Sequence, residues 1–76
     1  MVQTYILLSC SVGAEHEVLE QLKTLAEVKD AIMTYGDYDI VAKIETASEQ
    51  QMDKLISSKI RQMQKVRSTV TLHVTD

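Results

Sequence analysis

Tyr35-Gly36-Asp37-Tyr38-Asp39 sits near the middle of a 76-residue chain. An alternating segment precedes it, Val28 to Thr34, and another follows, Ile40 to Glu45. Glycine reaches positive φ without steric cost, so Gly-Asp between two such segments signals a hairpin. The stretch carries two carboxylates and two of the chain's three aromatic residues. That is unusual decoration for a plain connector, and it marks the turn as half of a small-molecule site held in place by the rest of the chain.

Outward from the hairpin, the strands are 28–35 and 40–45, paired antiparallel. Upstream, Val18, Leu19, Leu22, Leu25 and Ala26 form the stripe of an amphipathic helix. Gly13 is its expected N-cap, and Glu15, Glu17 and Lys23 are placed to suit the helix dipole. Before it, residues 2–11 alternate as a strand with apolar residues on both faces. Downstream, Ser48 with Gln51 three residues later is a capping-box pattern. The second helix then buries Met52, Leu55, Ile56, Ile60 and Met63. Lys59, Arg61 and Lys65 gather at its end, where cations complement the dipole. The last strand, 66–75, sets Val66, Val70, Leu72 and Val74 against a polar row of Arg67, Thr69, Thr71, His73 and Thr75.

Strand, helix, strand, strand, helix, strand is the split βαβ order. It predicts an α+β, ferredoxin-like βαββαβ domain spanning 1–76, with two helices on one face of a four-stranded antiparallel sheet. Right-handed crossovers put the first and third strands in the centre. The uncovered face is expected to carry Tyr5, Leu7, Met33, Tyr35 and Val41 with Lys43, Thr69 and Thr71. A chain this short buries only about 60% of its unfolded surface. An apolar open face on so small a domain predicts a homodimer packed sheet to sheet and assembled further.

Composition narrows the function. A net charge of −3 argues against nucleic-acid binding. Tyr5 is the only aromatic in the two central strands, which also argues against an RNA-binding sheet. The single cysteine, Cys10, leaves no disulfide framework and no multi-cysteine zinc site, and reads as a small buried hydrophobe. No metal or cofactor is expected. His16 lies off the helix stripe and His73 in the polar row, with no Ser-His or Cys-His constellation, so no enzyme is expected. The lack of a long apolar run or a signal-peptide pattern points to a cytoplasmic setting, not a membrane.

The chain resembles the effector-binding (RAM) domain of the Lrp/AsnC, or feast/famine, regulators over essentially its whole length. The resemblance is carried by Leu22-Lys23-Thr24-Leu25-Ala26-Glu27-Val28. It continues in Tyr35-Gly36-Asp37-Tyr38-Asp39-Ile40-Val41-Ala42-Lys43-Ile44, similar to the family's Gly-x-Tyr-Asp-hydrophobic hairpin. It ends in Val66-Arg67-Ser68-Thr69-Val70-Thr71-Leu72, similar to its Val-x-x-Thr-x-Thr strand. The family's usual N-terminal helix-turn-helix is missing from this sequence, so the resemblance implies a stand-alone sensor half. It implies dimers assembling into larger rings, with an amino-acid effector between dimers, contacted by Gly36, Asp37, Tyr38, Asp39, Thr69 and Thr71. Any effect on transcription would then pass through another protein. The alternative is an interaction module that joins full-length Lrp/AsnC regulators without an effector of its own. Tyr35 stands where many members have Thr.

Overall fold

A computed structural model describes residues 1–75. The strands β1 (Val2–Cys10), β2 (Val28–Met33), β3 (Ile40–Thr46) and β4 (Val66–His73) form one antiparallel sheet in the order β2-β3-β1-β4. Helices α1 (Glu15–Lys23) and α2 (Glu49–Leu55) supply the two crossovers, and α2 runs on into a π-helical turn, Ile56–Ile60. This is the expected ferredoxin-like α+β fold with β1 and β3 central.

The core lies between the helices and one sheet face. Ile6 and Leu8 of β1, Ile40, Ala42 and Ile44 of β3, Val18 and Leu22 of α1, and Met52 and Ile60 are all fully buried. Period-2 alternation in the central strands and period-3.6 spacing in the helices bring these side chains together.

Local chemistry sets the boundaries. Gly13, at φ +84, is not the cap of α1 but the third residue of a turn closed by Ala14 N–H to the Ser11 carbonyl at 3.0 Å. Ala14 stands at the cap position, with no side-chain bond. At the other end the Thr24 hydroxyl donates to the Gln21 carbonyl at 2.6 Å, and α1 stops one turn earlier than the stripe suggested. Leu25 still packs on the core, but Ala26 is exposed. Ser48 caps α2 as expected, its hydroxyl accepting from Gln51 N–H at 3.2 Å. The Gln51 carboxamide oxygen reciprocates at Ala47 N–H, also at 3.2 Å.

The π turn has a visible cause. The Ser57 hydroxyl donates to the Asp53 carbonyl at 2.8 Å, and the Ser58 hydroxyl donates to the Lys54 carbonyl. Such back-bonding competes for helix carbonyls and bends helices. The chain responds with a five-residue bond, Arg61 N–H to the Ile56 carbonyl at 2.9 Å.

Two bulges rearrange the sheet faces. Between Val28↔Ile44 and Asp30↔Lys43, Lys29 is an extra residue; between Ser9↔Ser68 and Cys10↔Val66, Arg67 is. Directly paired residues share a face. Ala31 and Met33 therefore pair with Ala42 and Ile40 on the helix side, and Thr69 and Thr71 pair with Leu8 and Ile6 on the helix side as well. Met33, Thr69 and Thr71 are thus not on the open face where alternation had placed them. The open face carries Tyr5, Leu7, Ile32, Val41, Val70 and Leu72, with Lys43, paired to Asp30, among them.

Candidate functional site

The connection between β2 and β3 is a six-residue loop, 34–39, wider than a tight Gly-Asp hairpin. A type I′ turn needs positive φ at both central residues. Gly36 has φ +111, but no non-glycine residue among those described is positive, so Asp37 does not complete that turn. The loop is instead closed by Thr34 N–H to the Asp39 carbonyl and by the Thr34 hydroxyl to the Tyr38 carbonyl, both at 2.9 Å.

Asp39 fastens the loop to the central strand. Its carboxylate accepts from Cys10 N–H at 2.7 Å, and its own N–H donates to the Leu8 carbonyl at 2.8 Å. The Ser9 hydroxyl reaches the Asp37 carbonyl at 3.3 Å. Asp39 therefore ends the β1–β3 ladder, its side chain serving an amide that β3 no longer meets. Gly36 and Asp37 are left exposed, Tyr38 is half-buried, and the Tyr35 side chain is fully exposed.

Asp39 also separates two open depressions. Ser9, Cys10, Arg67 and Ser68 line one with it; Gly13, Glu15, His16, Met33, Tyr35 and Gly36 line the other. The Arg67 bulge thus brings a guanidinium to the loop end of the sheet. Sequence alternation missed this, because it counted Arg67 with Thr69 and Thr71. A bulge leaves no mark in a single strand's pattern.

The two threonines belong to a different surface. Thr69 accepts from Arg61 Nε at 3.3 Å, and Thr71 lines a shallow cleft with Asp53, Ile56, Arg61 and His73. One chain therefore brings Gly36, Asp37, Tyr38 and Asp39 together at one loop and holds Thr69 and Thr71 apart, under the end of the second helix.

Cys10 lies beside this loop. Burial pushes its thiol up, and the carboxylates of Asp39 and Glu15 add to the shift. The folded state therefore keeps the thiol proton after the unfolded chain has released it. Stability on this account is full below the unfolded-state pKa and falls as pH rises through the folded one. Alkylation of Cys10 at pH 8 is expected to be slower in the native protein than in urea. Equal rates would show an accessible, unshifted thiol.

Among the described residues, no group of three or more His, Cys, Asp or Glu side chains is placed to hold a metal ion, and no helix is long and apolar enough to cross a membrane.

Comparison with known proteins places this geometry. The family described as "Lrp/AsnC ligand binding domain" matches residues 3–76. The chain is similar to FFRP-DM1, at 39% identity and a TM-score of 0.97 over 99% of this chain and 100% of that one. It is similar to AsnC of E. coli, at 29% identity and a TM-score of 0.93 over 99% of this chain and 51% of that one. It is also 29% identical, over 58 residues, to an uncharacterized HTH-type transcriptional regulator of Pyrococcus furiosus, covering 76% of this chain and 39% of that protein. The chain thus spans well under half the length of this curated relative.

Proposed function

Because the chain belongs to the Lrp/AsnC ligand-binding domain family, a family of transcriptional regulators and not of enzymes, we propose that it senses a small amino acid at a seam between copies of itself. A regulatory, effector-binding role follows from the family itself. The fastened loop is the observation that carries the amino-acid reading. Asp39 spends its carboxylate and amide on β1, which leaves the Gly36–Asp37 backbone exposed beside it on a rigid base.

An amino acid presents a carboxylate and an ammonium. Backbone N–H groups at a glycine lacking Cβ suit the first, and the Asp37 carboxylate suits the second. Tyr38 is half-buried, with its carbonyl bonded to the Thr34 hydroxyl. Thr69 and Thr71 cannot join Gly36 within one chain, so in this reading they come from a neighbouring copy. A ligand at such a seam is thermodynamically linked to assembly. Dimers pair through the open sheet face and associate further into a ring in a cytoplasmic setting. The effect on transcription passes through a DNA-binding partner. One regulator of the same fold, NMB0573 of Neisseria meningitidis, is known as a complex with L-Met, and that supports an amino acid as the class to test.

Gly36→Val tests the site. A Cβ at Gly36 meets nothing within 4 Å, so the change acts through φ +111, which a β-branched residue resists. The variant is expected to stay dimeric and to lose the amino-acid-induced thermal shift of the parent. The same shift in both proteins would remove the loop from the site. Calorimetric titration with amino acids, with and without a full-length relative, separates a sensor from a module that only joins other regulators.

A further inference from the structure

The opposite end of the sheet, near Thr46, lies about 20 Å along β3 from the loop, at some 3.3 Å per residue. There a cleft of about 570 Å³ opens between the α1–β2 connection and α2. Its size is within the ordinary range for small-molecule sites. Lys29, Lys54 and Lys59 all line it, three of the eight basic side chains in a chain of net charge −3.

Two backbone irregularities place them. Lys29 is the extra residue of the β2 bulge. Lys54 and Lys59 are five residues apart, and in a regular helix of 3.6 residues per turn they would diverge by about 140°. The π turn between them, closed by a five-residue bond, returns Lys59 towards the side of Lys54. π turns recur at functional positions, and this one gathers like charges that a regular helix would separate.

The polar groups around the lysines favour an acceptor ligand. The Gln51 carboxamide oxygen is occupied by Ala47 N–H, so its NH₂ is the end left to donate. Lys29 spends one of its three donors on the Ala26 carbonyl at 3.2 Å. Two carboxylates, Glu27 and Glu45, share the lining; Glu45 also accepts from Gln3 at 3.2 Å, and the three lysines still outnumber the pair. Leu55 supplies an apolar floor.

We propose that this cleft binds a small multivalent oxyanion, held by Lys29, Lys54 and Lys59, at a site separate from the loop. Three ammonium groups lining one cleft against two carboxylates leave it net positive, and an anion of two or more charges is attracted to that excess. The site stands on different residues from the proposed amino-acid pocket, and it survives or falls independently of it.

Thermal unfolding of the full chain in citrate and in pyrophosphate, each against sodium chloride of matched ionic strength, tests the proposal. Either anion is expected to raise the midpoint by roughly 4–8 °C at several times its Kd. A response to citrate alone assigns a carboxylate ligand; a response to pyrophosphate alone assigns a phosphate. Lys54→Gln with Lys59→Gln, both on exposed positions, is expected to abolish the response. Ser57→Ala with Ser58→Ala keeps every charge but removes the back-bonds that widen the turn, and is expected to weaken the response at least tenfold in Kd. Shifts no larger than the chloride control, or a full response in either double variant, overturn the proposal.

Discussion

Asp39→Ala lowers the unfolding free energy by about 2–3 kcal/mol, because it removes a charge-assisted bond and leaves the Cys10 N–H without its acceptor. For a domain of this size that is a fall of roughly 10–20 °C in the unfolding midpoint. The effect is larger than that of an ordinary loop substitution, which is usually within about 0.5 kcal/mol. The difference is one of position. The Asp39 carboxylate does the work of a strand carbonyl at the point where β3 turns away. Cys10 itself is buried, so water is a poor substitute. Asp39→Asn keeps an acceptor oxygen but not the charge, and is expected to recover about half of the loss. Amide hydrogen exchange gives the local readout: Cys10 N–H should exchange much faster in the alanine variant, and Ile6 N–H should follow only the global change. An unchanged Cys10 exchange rate with a midpoint shift under about 2 °C would mean the loop is held by something else.

The same residue shows what the sequence could and could not disclose. The element order, the central strands, the Ser48 cap and the helical core stripes, save Ala26, were legible, because each rests on local spacing or on a short-range bond. Asp39 was recognised as a turn residue, but its partner sits 29 positions away, and no local pattern announces that. The two bulges are harder still. A bulge is a property of two strands in register, and Lys29 and Arg67 carry no turn chemistry to reveal it. Each reverses the facing of its strand relative to the core from that point on. Val66 therefore packs on the core while Val70 and Leu72 point away from it.

The bulge sets this facing of β4, and the open face explains why its apolar residues tolerate it. Alternation that puts Thr69 and Thr71 on the open face implies the apolar set of β4 on the helix side, the rule being that apolar residues point inward. Yet Val70 and Leu72 lie on the open face, 37% and 49% exposed, and Thr69 and Thr71 lie on the helix side. The rule fails only if the open face is treated as solvent. Tyr5, Leu7, Ile32 and Val41 share that face, and a contiguous apolar patch on a monomer is uncommon at this scale. The alternation of β4 is coherent once both faces are interiors, one of the domain and one of an assembly.

Leu7→Glu is therefore expected to convert the proposed dimer to monomer. Leu7 stands on β1, opposite Val41 on one side and Val70 on the other, at the middle of the open face and away from the helix-side core. A glutamate there places an unpaired carboxylate among apolar side chains when two sheets meet, at a cost of several kcal/mol. Self-association should weaken by about 10³-fold or more, since each 1.4 kcal/mol is a factor of ten. The fold of a single copy should survive, because the helix-side core is untouched. Sedimentation velocity from about 1 to 100 μM decides the matter, with circular dichroism as the control for folding. A parent that sediments as monomer over that range, or a variant that still sediments with the parent, removes the sheet-to-sheet dimer. A parent that stays monomeric would remove the amino-acid seam as well, because Thr69 and Thr71 then have no neighbouring copy from which to reach the loop of another chain.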